Sequence, residues 1–149
     1  MKVVVYAMPD GTVWVMRPVE PPREGESEAD YLARIKARAV PANATGTFEC
    51  DETEIPQNRT FRAAWRLDGR KIAVDMPIAR AIKMDRIRAE RNRRLEATDK
   101  DVAKLDGAPL SVELRGNRQA LREVPQKAGP ALEAIESAAA LEAFEPDWP

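Results

Sequence analysis

From Met76 to Asp106 the chain reads MPIARAIKMDRIRAERNRRLEATDKDVAKLD, a run without glycine whose single proline, Pro77, stands near its start. A proline in the first helical turn loses no hydrogen bond there, and its fixed φ suits the helix. Gly107 and Pro109 then supply a stop. Roughly 29 residues rising about 1.5 Å each make a rod of about 40 Å. A small domain is narrower than that, so part of the rod is expected to project or to meet a partner.

The apolar residues divide the rod in two. Ile78 and Ile82 form a short face near its start, suited to packing on a sheet. Farther along, Met84, Ile87, Arg91, Leu95, Thr98, Val102 and Leu105 recur at spacings of three and four, a heptad-like stripe interrupted by Arg91 and Thr98. A stripe so interrupted is too weak for a two-stranded coiled coil alone. It suits packing against Leu114, Leu121 and Val124 of the following segment.

Upstream, the β-branched run Lys2–Met8 and the alternating run Thr12–Met16 flank Pro9, Asp10 and Gly11, and so predict an antiparallel hairpin with Tyr6 opposite Trp14. Pro18, Pro21, Pro22 and Gly25 mark an extended linker. Ser27 as N-cap, followed by Tyr31, Leu32, Ile35 and Ala39, predicts a helix over 28–39 that ends at Val40 and Pro41. Thr47–Asp51 reads as a strand. A second hairpin turns at Asp68 and Gly69, its first arm open to a helical turn between Phe61 and Leu67. Asp75 is a candidate N-cap for the long helix. Beyond it, a helix from Ser111 is expected to break at Pro125, and an alanine-rich helix to start at Gly129 and Pro130. Trp148, one residue from the end, is read as docked in a pocket.

These segments predict an α+β fold: small antiparallel β-hairpins packed on a long projecting helix, followed by shorter C-terminal helices. The divisions are a hairpin at 1–17, a Pro-rich linker at 18–26, a short helix with antiparallel strands at 27–75, the long helix at 76–106, and a C-terminal helical segment with its Trp-Pro tail at 107–149.

Composition bears on function mainly through absences. Without histidine, the commonest general base and metal ligand are both missing. One cysteine, Cys50, permits neither an intrachain disulfide nor a Cys-only metal site. Its acidic neighbours Glu49, Asp51 and Glu52 push a thiol away from reactivity. Asp75, Asp85, Asp99 and Asp101 read as solvated helix carboxylates, since no nucleophile elbow, phosphate-cradling loop or metal spacing accompanies them. No catalytic, cofactor-binding or metal residues are therefore assigned, and the chain is read as non-enzymatic. The opening residues are too soon broken for a secretory signal, and no apolar run is long enough to span a membrane.

Charge is balanced overall and uneven locally. Residues 80–94 hold seven basic residues against two acids, while every charged residue after Lys127 is acidic. The two segments are expected to attract, within one chain or between copies. A nucleic-acid-binding regulator using Arg80–Arg94 is the competing reading, disfavoured because that stretch lacks aromatics and its cations spread around the helix.

One ordered pattern remains. Phe61, Arg62, Ala64 and Trp65 precede the Asp-Gly turn, then Val74-Asp75-Met76, Ala79-Arg80, Ile82 and Arg86-Ile87-Arg88 follow. Later come Arg94-Leu95, Thr98-Asp99, Arg118-Gln119-Ala120-Leu121-Arg122, Pro125 and the terminal Trp148-Pro149. Over about Val40–Pro149 this resembles the bacteriophage tail assembly chaperone and tail-fibre assembly families, with Lys100 where their pattern places tryptophan. The resemblance implies a protein that binds a phage tail or tail-fibre component in the host cytoplasm, as an assembly chaperone or as an adaptor retained on the virion tail. Self-association is compatible with it. The partner-binding residues expected are Trp65, Met84, Ile87, Leu95, Val102, Leu121 and Trp148, with Trp65 also suited to a core role.

Overall fold

The turn at Pro9–Gly11 forms as its residues dictate. Gly11 takes φ +81°, the Asp10 carboxylate accepts the Thr12 N–H at 2.8 Å, and strand β1 (Lys2–Ala7) folds back onto β2 (Val13–Met16). Tyr6 stands opposite Trp14 in that register. The computed structural model describes all residues from 1 to 149 and shows two compact units, Met1–Asp75 and Met76–Pro149.

In the first unit β3 (Gly46–Asp51) joins the other edge of β1, giving an antiparallel sheet of order β2-β1-β3. Because side chains alternate, Val3 and Val5 face one way with Val13, Phe48 and Cys50. Onto that face folds the second hairpin, β4 (Trp65–Asp68) and β5 (Lys71–Val74), bringing Trp65, Leu67, Ile72 and Val74 into the same core. The stretch before it is both things the sequence left open: a 3-10 turn over Arg62–Ala64 leads directly into β4. The turn sits one residue later than the Asp-Gly pair suggests. Asp68 pairs with Lys71, and Gly69 takes φ +59° as the first turn residue.

The opposite sheet face belongs to α1 (Glu28–Ala39). Ser27 caps it by accepting the Asp30 N–H, and Leu32 and Ile35 are buried while Val4 beneath is fully enclosed. Lys36 reaches Glu49 on the same face at 3.9 Å. The Pro-rich segment before α1 is tied down. The Tyr31 hydroxyl donates to the Glu20 carbonyl at 2.5 Å, Arg38 bonds the Glu20 carboxylate at 2.7 Å, and Arg34 bonds Glu26 twice, at 2.7 and 2.9 Å.

The second unit is helical. Its elements are α2 (Met76–Ala103), α3 (Val112–Glu133) and α4 (Ala138–Ala143). α2 closes close to the expected stop, where Asp106 and Gly107 take φ of +43° and +84°. Contacts of Arg80 with Glu133 and of Asp99 with Arg118 set α2 and α3 antiparallel. The stripe on α2 is matched by Leu121, Val124, Ala128 and Leu132 of α3, all buried.

Two expectations about the C-terminal region need correction. α3 does not break at Pro125, but continues through Pro125 and Pro130 to Glu133. An interior proline costs about 3 kcal/mol of helix propensity. Here the helix persists because its buried row lies on both sides of Pro125. Nor does the alanine-rich segment form one helix from Gly129. It stops after Glu133 and restarts at Ala138, where the Ser137 hydroxyl accepts the Ala140 N–H. The Ile135 carbonyl left outside the helices is taken by the Arg80 guanidinium, at 2.7 and 3.2 Å.

Candidate partner interface on the helical unit

The basic segment of α2 and the acidic C-terminal segment meet within one chain. Arg80 holds the Ile135 carbonyl and lies 3.9 Å from Glu133. Lys83 is the one buried charged residue. Its Nζ donates to the Glu142 carbonyl at 3.0 Å and stands 3.8 Å from the Glu145 carboxylate. That places a cation at the C-terminal end of α4, the favourable end of its dipole. Farther along, the Arg94 guanidinium lies over the Trp148 ring at 4.3 Å. Other cations of this stretch have local partners: Arg88 with Asp85, Arg91 with Asn92, and Arg93, like Arg94, with Glu90. The Arg93 hydrogen bond, then that of Arg94, holds the Glu90 carboxyl at about 2.

At the distal end, one residue unites two separated motifs. Arg118 of α3 donates to the Leu95 carbonyl at 3.3 Å, to the Thr98 hydroxyl, and to Asp99 at 2.7 Å, while Thr98 also bonds the Leu95 carbonyl. The Thr98-Asp99 pair and the Arg118 motif are thus one clamp, 15% exposed at the Arg118 side chain. Their order in the sequence hinted at a relation, but only the antiparallel helix pair brings them together.

The expected partner residues fall into distinct settings. Trp65 is 2% exposed in the core of the first unit. Ile87 and Leu121 are each 3% exposed and buried in the helical unit. Met84, Leu95, Val102 and Trp148 are half-buried. Met84 lines a cleft of about 470 Å³ with Pro77, Arg80, Ala81 and Leu132. Near the turn between α2 and α3, Val102, Leu105, Leu110 and Leu114 are half-buried and Val112 is 86% exposed. The sequence marks Arg118 only as part of a motif, without its partners, and does not mark Lys83 or Val112 as contact residues. Lys83 is the hardest of these to foresee, because burial of a lysine depends on a carbonyl supplied 59 residues later.

Among the carboxylates weighed for acid–base chemistry, Asp85, Asp99 and Asp101 pair with Arg88, Arg118 and Lys104. Cys50 is buried, and burial, then Glu54 and Asp51, raises its thiol pKa. No group of three or more His, Cys, Asp or Glu side chains could hold a metal ion, and no helix is long and apolar enough to cross a membrane.

Fold and geometry define the class: an α+β protein whose second unit is a laced antiparallel helix pair. Residues 84–140, which run from α2 through α3 into α4, match the model of a family described as phage tail assembly chaperone protein. No curated protein and no solved structure matches the chain. The matched segment is shorter than the Val40–Pro149 over which the sequence pattern was followed, and it contains the whole Arg118 clamp. Pattern and match agree on the phage tail assembly chaperones, and the match supports a role in phage tail assembly.

Proposed function

We propose that this chain is a non-enzymatic binding protein that engages a tail or tail-fibre component during phage assembly in the host cytoplasm. The observation that carries the reading is the coincidence of the family match over 84–140 with the clamped α2–α3 pair. Binding a folding client needs a rigid platform with aliphatic surface at its rim. The clamp supplies rigidity, because Arg118 satisfies two acceptors on α2 beside its ion pair. Aliphatic surface lies at the far end of the pair, where Val102, Leu105 and Leu110 flank the exposed Val112. An apolar rim of this kind suits transient masking of apolar client surface. It equally suits a lasting seat on the virion.

Co-expression with the neighbouring tail and fibre proteins tests the reading. Recovery of a stable complex is expected, and recovery of this chain alone in every pairing contradicts it. Mass spectrometry of purified virions then separates the two modes. A stoichiometric amount marks an adaptor, and absence marks a chaperone that departs.

A further inference from the structure

The C-terminal tail from Phe144 to Trp148 lies across both helices of the second unit without filling the space around it. On the α2 side a cavity of about 270 Å³ is lined by Lys83, Arg86, Ile87, Glu90 and Arg94 with Glu145 and Trp148. On the α3 side a second cavity, of about 180 Å³, lies between Val124, Lys127, Ala128 and the tail residues Phe144 and Asp147. The groove floor is therefore net basic, three cations against Glu90, with an aliphatic strip, and the strap over it carries Glu145, Asp147 and the rings of Phe144 and Trp148. Lys83 holds the Glu142 carbonyl just before the strap and lies 3.8 Å from Glu145, and Arg94 lies beneath Trp148. The Glu145 side chain is 76% exposed, so its contact with Lys83 is open to water and to salt.

We propose that this groove is a binding site for an acidic, aromatic-bearing segment of the protein's client, and that residues 144–149 are a built-in competitor displaced when the client binds. This rests on the client-binding reading above and specifies the chemistry of one contact. Charge complementarity selects the occupant: three cations against one acid, Glu90, line the α2 side, and the strap already there is acidic with one tryptophan. The unfilled space on both sides of the strap leaves room for a bulkier segment on the same floor.

The test uses a labelled synthetic peptide of residues Glu142–Pro149, followed by fluorescence anisotropy. Its targets are the full chain and a chain ending at Phe144. Where the strap is gone, the peptide is expected to bind about tenfold or more tightly than to the full chain, because the competitor no longer occupies the site. Binding is expected to weaken on going from about 50 mM to about 500 mM salt. It should be lost with a peptide carrying Trp148→Ala, or with Arg94→Ala in the shortened chain. Should the shortened chain lose its circular dichroism signal, the full-length double variant Glu145→Gln with Trp148→Ala replaces it under the same expectation. No binding to either folded variant overturns the proposal, as does equal binding to the full chain. Reversible dimerisation of the full chain through exchanged tails overturns it too, since a second copy would then be the occupant. No phage protein enters this assay, so it can fail while co-expression succeeds, and the reverse.

Discussion

Individual side chains in this protein are mostly occupied with holding their own unit together. Trp65 is the clearest instance, enclosed among Val3, Val5, Phe48 and Leu67. Trp65→Ala is expected to cost about 3–5 kcal/mol, read from the shift of a denaturation midpoint at constant slope. A change within about 0.5 kcal/mol would show that the ring contributes little to the core. Two carboxylates carry a pH signature. Glu26, bonded first by Arg34 and then by the Arg23 N–H, and Glu90, bonded by Arg93 and Arg94, are both held at about 2. Their pKa values are depressed on folding, so the stability they contribute is present above their ordinary value of 4.5 and is lost as pH falls toward about 2. Side-chain carboxyl shifts followed by NMR should give midpoints near that lower value, and midpoints near the ordinary one would mean the pairs do not persist in solution. At this scale the sequence was informative where chemistry is local. Ser27, Asp10 and Gly11 act as their types and spacing predict. Arg118 and Lys83 were not legible, because their acceptors lie 19 or more residues away and depend on a helix pairing that no local pattern specifies.

Elements show where propensity yields to packing. The long helix, α1 and the strands were legible because each has a strong period and a stop of turn residues. α3 was legible from its Ser111 cap as far as Val124, but not its continuation, since two prolines lie inside it and its persistence depends on the buried row facing α2. Pro125→Ala is accordingly expected to stabilise the helical unit by about 1–2 kcal/mol. It restores a donor and removes the ring clash, less a fraction lost to the freer unfolded chain. Thermal unfolding measures this, and a lowered midpoint would show that the proline ring itself is a needed packing element. Arg118→Met keeps the aliphatic stem and deletes the charged donors. It is expected to cost about 1.5–3 kcal/mol, with hydrogen exchange accelerating first around Leu95–Asp99. An unchanged exchange pattern there would mean that the clamp is not what joins the distal halves of the helices.

For the whole molecule, the interrupted stripe on α2 proves to be answered largely by α3, and the basic stretch by the chain's own C-terminal segment. The surfaces proposed for another protein are the aliphatic rim by the α2–α3 turn and the strap-covered groove. Composition alone separates neither from ordinary surface. The ordered motifs were what pointed to phage tail assembly, and the matched segment 84–140 lies within the helical unit. The account's central claim, that this unit carries the client contact, is tested most directly by hydrogen exchange on the full chain, alone and in complex with its co-expressed tail protein. Protection is expected to rise around Val102–Leu114 and in α2 beneath the tail, with the strands of Met1–Asp75 unchanged. Protection confined to Met1–Asp75 would contradict it.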